Sequence, residues 1–480
     1  MEKDKALKVL MVASEMAPFA KSGGLGDVIG SLPKALAEMG VDVRVVLPKY
    51  KTIKTEHFAD IRYLGDFPVS LSWRNQKAGV LEKKMGNVTV YFLENDYYFW
   101  RDGYYGYDDD NERFAFFSKA VLDMLRFLDF YPDIVHCNDW QTGPICMLLK
   151  ETFYKFIDYQ KIKTIYTIHN LQYQGRFSRE TMELFDLSFD KFYQCEYYGQ
   201  VNFMKAGLVY ADQITTVSPT YAEEVQTFQY GYGLDGVLRE RKDNLCGILN
   251  GIDYQANDPS TDKRLFVPYS ADQLEQKKEN KHALQEQLGL PQSDCPMLTI
   301  ISRLADQKGL DLISWALERL VNEDIQLVVL GTGERRYEDY FRGLEWNHKN
   351  KVSANIIFDD TLAQRIYAAG DLFLMPSLFE PCGLGQLFAL RYGNVPVVRK
   401  TGGLSDTVCH FDPQTGSGNG FVFEHYTGDG LLWAIRQALD YYWNDKNNWN
   451  KIVRNAMGCN FAWTDSAKAY LRLYERMLTA

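Results

Sequence analysis

The sequence predicts an α/β protein built from two doubly wound domains, each a parallel sheet covered by helices on both faces. Three observations carry this. The chain has 480 residues, too many for one ordinary core. Short apolar runs alternate with amphipathic stretches along its whole length. A glycine turn near the start, Gly23-Gly24-Leu25-Gly26-Asp27-Val28, is echoed by Gly402-Gly403-Leu404-Ser405-Asp406-Thr407-Val408. Each turn follows an apolar strand and opens a helix, although a chance likeness of two strand–helix turns would look the same.

The first half begins with an apolar strand, Leu7 to Ala13, and a helix, Val28 to Met39, around the loop Lys21-Ser22-Gly23-Gly24-Leu25-Gly26-Asp27. A strand end, bare N–H groups and a helix N-terminus make an anion site, and Lys21 adds a cation. The plainer alternative is a turn whose glycines only permit tight packing. Val41 to Leu47 is a second strand closed by Pro48. Phe58 to Lys84 alternates loosely, as an inserted hairpin would, and Val88 to Leu93 is a buried strand. An aromatic, acidic loop, Tyr97 to Asp110, leads to a helix from about Asn111 to Leu128. Asp133 to Cys137, Lys163 to Ile168 and Gln213 to Val217 are further strands, with a helix starting near Thr142. Ser218-Pro219 then starts a helix, Ser as N-cap and Pro in the first turn.

The changeover falls near Asn250-Gly251-Ile252-Asp253, followed by a turn-rich polar segment, Tyr254 to Lys263. The second half repeats the alternation. Met297 to Ser302, Gln326 to Leu330, Ala354 to Phe358, Leu372 to Met375 and Val395 to Val398 are predicted strands. Leu310 to Leu320 and Leu384 to Tyr392 are among the helices between them, and Thr464 to Met477 is a final amphipathic one. Two such domains suggest ligands in the crevice between them.

Composition narrows the function. Apolar residues make up 46%, charged 24% and aromatic 14% of a chain with net charge −10. No basic domain suited to nucleic acid stands out. The eight cysteines are scattered without a CxxC pair, which points to a reduced compartment and not to a disulfide or zinc framework. Met-Glu-Lys-Asp-Lys runs straight into a strand, no signal peptide is visible and no apolar run nears membrane length, so a cytoplasmic location with no membrane partner is expected.

Several loops at predicted strand ends could carry chemistry. Phe379-Glu380-Pro381-Cys382-Gly383-Leu384-Gly385-Gln386 places a carboxylate where open α/β sheets bind ligands, or only a charge at the start of a helix. Arg303 and Lys308 share a strand-end loop and suit a diphosphate, or form an ordinary solvated loop. His169, His136 and Asp139 also end strands, and a histidine on an apolar strand is commonly structural. Asp108-Asp109-Asp110 reads as a solvated loop and helix-start signal, so neither a metal nor a cofactor is expected. There is no Walker A pattern, G-x-S-x-G elbow or zinc spacing. A dinucleotide site is disfavoured because Pro48-Lys49 follows the second strand where an acidic residue would hold a ribose.

Taken in order, these motifs resemble the bacterial glycogen synthases and plant starch synthases of glycosyltransferase family 5, retaining enzymes with the GT-B fold. The likeness runs nearly end to end. It includes Lys21-Ser22-Gly23-Gly24-Leu25, Asn138-Asp139-Trp140, Thr167-Ile168-His169-Asn170-Leu171, Lys205-Ala206-Gly207 and Leu249-Asn250-Gly251-Ile252-Asp253. It continues through Ser302-Arg303-Leu304 with Gln307-Lys308-Gly309, Glu380-Pro381-Cys382-Gly383-Leu384, and Thr401-Gly402-Gly403-Leu404. Ser22 stands for the usual Thr, and Gln141 stands where many members have His.

The resemblance implies two Rossmann-like domains with a deep interdomain cleft. The acceptor-side domain would span 1–248 and the donor-side domain 249–460, with a helix over 461–480 crossing back. It implies transfer of glucose, with retention, from ADP-glucose or UDP-glucose to the non-reducing 4-hydroxyl of an α-1,4-glucan, in glycogen biosynthesis. By position, Glu380, His169, Asp139, Lys308 and Arg303 would be catalytic. Lys21, Gly23, Gly24, Arg303, Lys308, Phe358, Cys382, Gly383, Leu384, Thr401, Gly402, Gly403 and Leu404 would bind the donor. Asn170, Tyr173 and Trp140 would bind the acceptor. Domain closure is expected to bring Lys21 to the diphosphate. A non-catalytic glucan-binding relative, or a GT-B transferase with another acceptor, is the alternative.

Overall fold

The computed structural model describes residues 6–479, so the opening Met1 to Lys5 lies outside the described residues. The chain forms two units, Met1–Asn250 with Trp463–Ala480, and Gly251–Ala462.

The first unit contains β1 (Lys8–Val12), β2 (Asp42–Pro48), β3 (Arg62–Leu71), β4 (Arg74–Met85), β5 (Val88–Glu94), β6 (Ile134–Asn138), β7 (Lys163–Ile168), β8 (Arg176–Phe177), β9 (Glu196–Tyr197), β10 (Gln200–Asn202), β11 (Gln213–Thr216) and β12 (Leu245–Gly247). Nine of them form one sheet in the order β12-β11-β7-β6-β1-β2-β5-β4-β3. From β12 to β5 every pairing is parallel. Strands such as β1 and β6 are buried almost throughout, as strands covered on both faces must be. The predicted hairpin is β3–β4. It joins the main sheet by antiparallel pairing of β4 with β5, and β3 shows the mixed exposure of an edge strand. β8, β10 and β9 make a separate small sheet.

The second unit contains β13 (Met297–Ile301), β14 (Gln326–Leu330), β15 (Val352–Asn355), β16 (Leu372–Met375), β17 (Val395–Arg399) and β18 (Phe421–Phe423). All pairings are parallel, in the order β15-β14-β13-β16-β17-β18. That is the doubly wound order, reversing between β13 and β16, and ligands of such sheets bind beyond the strand C-termini at the reversal. The fold class is therefore the two-domain α/β arrangement that the sequence predicts.

Local sequence explains the elements that matter for the site. Helix Leu310–Leu320 turns Leu310, Ile313, Leu317 and Leu320 into the core at helical spacing. Gly309 precedes it at φ 68°, and a Cβ there would lie 2.1 Å from the Pro376 carbonyl oxygen. Glycine is thus required both by conformation and by the approach of the loop after β16. The final helix, Trp463–Thr479, buries Trp463, Ala467, Tyr470, Tyr474 and Met477. Its Tyr474 hydroxyl meets His136 Nδ1 at 2.8 Å, and His136 Nε2 meets Thr167 Oγ1 at 2.6 Å.

Three expectations need correction. The strand predicted at Ala354 to Phe358 is β15, Val352–Asn355, because the apolar run Ile356 to Phe358 continues beyond the sheet pairing. The two glycine turns differ. Residues 13–23 separate β1 from its helix, Gly24–Glu38, whereas only Lys400 and Thr401 separate β17 from Gly402–Thr407. The aspartate run is not simply solvated. Asp109 pairs with Arg101, while Asp110 is buried, pairs with Arg113 and accepts from the Gly106 N–H. No helix among the described residues is long and apolar enough to cross a membrane.

Candidate functional site

In the second unit the residues singled out by sequence converge on the ends of β13, β16 and β17. Lys308 lies on the short 3-10 turn Asp306–Lys308, and its Nζ donates to Glu380 Oε2 at 2.7 Å. Ser377 Oγ donates to the same oxygen at 2.9 Å. Glu380 is buried and its helix begins only at Gly385. Its charge is therefore spent on a cation and a hydroxyl, not on capping that helix. Arg303 is exposed beside the same turn, with Nη2 3.5 Å from Gln307 Oε1.

The turn after β17 packs onto this loop. A Cβ at Gly402 would lie 2.0 Å from the Glu380 carbonyl oxygen, and one at Gly403 would lie 2.1 Å from that of Cys382. Both glycines are needed for contact between protein segments. The Gly403 N–H donates to the Glu380 carbonyl at 3.1 Å. Thr401, Leu404 and Cys382 are buried, and Leu404 has no exposed surface. Gly383 has φ 72°, and Leu384 stands at the N-cap of helix Gly385–Arg391. Phe358 is 80% exposed on the loop after β15.

In the first unit the glycine loop resolves into two kinds of glycine. Cβ atoms at Gly26 and Gly30 would crowd Lys21 Cγ at 3.0 Å and the Ala17 carbonyl at 2.9 Å. At Gly23 the chain is extended, φ −162°, and a Cβ would meet nothing within 4 Å. Neither packing nor conformation requires glycine there, and what its absence of side chain leaves open is space beside the N-terminus of helix Gly24–Glu38. Gly24 is exposed as its first residue. Lys21 Nζ is held by Asp27 at 2.8 Å at the same place. Glu15 escaped sequence reasoning because it looks like the polar end of a strand. It is buried and accepts from Ser22 Oγ at 2.7 Å, the Ser22 N–H, and the Tyr105 hydroxyl at 2.7 Å.

Asp139 follows β6 at φ 56°, an uncommon conformation for a residue with a side chain. Its Oδ1 accepts from the His169 N–H at 2.8 Å and the Asn170 N–H at 3.4 Å. Burial pushes this carboxyl up to about 7, the two N–H groups oppose that, and the charge of Glu15 adds to it. His169 Nε2 meets Asn138 Oδ1 at 2.9 Å, and burial lowers the imidazole to about 3, so it is neutral at physiological pH. Tyr173 is exposed and Asn170 half-buried on the following turn.

One sequence expectation, an acceptor-binding Trp140, does not survive this geometry. Trp140 is walled in by Phe114, Phe177 and Phe203, and a Cβ at Gly175 would strike its ring. It is a core residue and presents no face to a sugar. His136 is fully engaged inside the sheet by Tyr474 and Thr167, so it is structural. Gln141 beside Trp140 is likewise buried. Among the described residues no group of three or more His, Cys, Asp or Glu side chains could hold a metal ion.

Known proteins share this chain's whole length. A family model described as starch synthase catalytic domain matches residues 8–240, and one described as glycosyl transferases group 1 matches residues 281–456. The chain is 50% identical to a glycogen synthase of Clostridium novyi over 480 residues, covering 98% of this chain and 99% of that protein. It is also 50% identical to a glycogen synthase of Desulforudis audaxviator, covering 98% and 96%. In structure it is similar to the catalytic domain of starch synthase IV from Arabidopsis thaliana bound to ADP and acarbose. The TM-score is 0.93 and the identity 36%, over 99% of this chain and 100% of that one. A sucrose-phosphate synthase from Thermosynechococcus elongatus, 17% identical with TM-score 0.64 over 98% and 99%, shares the fold.

Proposed function

We infer the reaction from the family to which this chain belongs, that of the bacterial glycogen synthases and plant starch synthases. It is a glycosyltransferase that moves glucose from a nucleoside diphosphate glucose onto an α-1,4-glucan. The donor we propose is ADP-glucose, in keeping with the ADP bound by the similar starch synthase IV. The second unit is assigned the donor and the first unit the acceptor.

The observation that most supports this reading is the 2.7 Å contact of Lys308 with Glu380 where the second sheet reverses its strand order. A leaving diphosphate needs positive charge, and an anomeric carbon losing it needs negative charge nearby. Lys308, Arg303 and Lys21 supply the first. Glu380 supplies the second, stabilising charge without forming a bond. The C1–O bond to the diphosphate breaks while the bond from C1 to the acceptor O4 forms on the same face. The hydroxyl proton of O4 passes to the departing phosphate oxygen.

The open space at Gly23 admits the donor to the backbone of Gly23 and Gly24. On the second unit Gly383, Thr401, Gly402 and Leu404 are assigned to the donor, and Phe358 to the base. Neutral His169, held beside Asp139, serves the transferring glucose as hydrogen-bond partner. Asn170 and exposed Tyr173 serve the acceptor.

Side-by-side extension of glycogen with ADP-glucose and with UDP-glucose tests the reading. ADP-glucose should be the better substrate. Failure of both to extend glycogen overturns the function, and preference for UDP-glucose overturns only the donor.

A further inference from the structure

The loop after β16 is irregular and mostly buried, so its backbone carbonyls need donors from elsewhere. Four consecutive carbonyls find them outside the loop. Arg399 Nε donates to the Ser377 carbonyl at 2.9 Å, and Arg399 Nη2 donates to that of Leu378. Gln307 Nε2 donates to the Phe379 carbonyl at 3.2 Å, and the Gly403 N–H donates to that of Glu380 at 3.1 Å. In return the Leu378 N–H donates to the Gln307 carbonyl at 2.9 Å.

We propose that Arg399 is a positioning residue for the Glu380 carboxylate, and that Gln307 shares the task. The inference rests on the assignment of Glu380 above and adds what sets its geometry. Arg399 is the last residue of β17 and is buried, so its guanidinium is fixed by the sheet. Its two nitrogens hold two successive carbonyls in a rigid fork, which a lysine ammonium cannot reproduce. One of those carbonyls belongs to Ser377, whose hydroxyl binds Glu380 Oε2. Gln307 precedes Lys308 in the same turn, so the grip on Phe379 ties the Lys308 segment to the Glu380 segment. The carboxylate and its ammonium partner are thereby registered to one another before any substrate contact.

The test is a double-mutant cycle on the full chain, with kcat and donor KM measured for glycogen extension and unfolding followed by calorimetry. Arg399→Lys should lower kcat by about ten- to hundred-fold, the scale of a small misplacement of a reacting group. KM should move little. In a Glu380→Gln background the same substitution should cost less than about twofold, since there is no carboxylate left to place. Gln307→Ala supplies the same cycle should Arg399→Lys fail to fold. Losses that multiply in the double variants, or an Arg399→Lys enzyme with full kcat, overturn the positioning role. An equally active Glu380→Gln enzyme overturns it as well. A wild-type chain that extends no glycogen removes the assigned reaction, and this inference with it.

Discussion

The Lys308 ammonium and the Ser377 hydroxyl converge on one oxygen, Oε2, of the Glu380 carboxylate, at 2.7 and 2.9 Å. Two donors on one oxygen orient the carboxyl plane and leave the charge in place. Lys308→Ala and Glu380→Ala should each lower kcat by about 10²- to 10³-fold, the cost of removing one preorganised electrostatic partner. Labelled glucose transfer to glycogen measures this. Activity within twofold of wild type in either variant would contradict the assignment.

The glycines of the first loop should separate by function. Gly30→Ala puts a methyl 2.9 Å from the Ala17 carbonyl and should cost about 1–3 kcal/mol in urea unfolding. Gly23→Ala meets nothing within 4 Å, so it should leave stability within about 1 kcal/mol while raising the donor KM. Equal donor KM in Gly23→Ala and wild type would return the loop to a packing role.

Asp139 should govern an acid limb in the pH dependence of kcat/KM. Burial raises its carboxyl to about 7, so it loses its charge as pH falls through neutrality. Asp139→Asn is isosteric and keeps an acceptor for the His169 and Asn170 N–H groups, but cannot titrate. The limb near pH 7 should be absent in that variant; a limb of the same midpoint would assign the titration elsewhere.

Tyr474→Phe should destabilise the first unit by about 1–3 kcal/mol, because it leaves the buried His136 Nδ1 without its partner. Burial also holds His136 at about 3, below the ordinary 6.5. The unfolded chain therefore binds the proton first as pH falls. This residue's contribution is intact above pH 6.5 and declines toward pH 3, by at most about 1.4 kcal/mol per pH unit. Urea midpoints measured between pH 7.5 and 5 check the direction.

Much of the fold was legible because buried parallel strands leave plain apolar runs. Lys163–Ile168 and Gln326–Leu330 match their runs residue for residue. Strands of three residues, such as Leu245–Gly247 and Phe421–Phe423, left no such mark. The run Ile356 to Phe358 misled because hydrophobicity does not say where sheet pairing stops. At the site, Lys308 and Glu380 were legible as charges at strand ends. Arg399 and Gln307 were not, since their work is to hold carbonyls far away in sequence, and no spacing records that. Trp140 shows the converse: an aromatic beside a site motif can be the wall behind it.

The reaction proposed for this enzyme is retaining transfer of glucose to the end of an α-1,4-glucan. Incubating the chain with radiolabelled ADP-glucose and glycogen, then digesting the product with β-amylase, tests it most directly. The label should enter the glycogen and be released as maltose, as α-1,4-linked glucose at non-reducing ends must be. Label that fails to enter the glycogen, or that enters it and resists β-amylase, would contradict the claim.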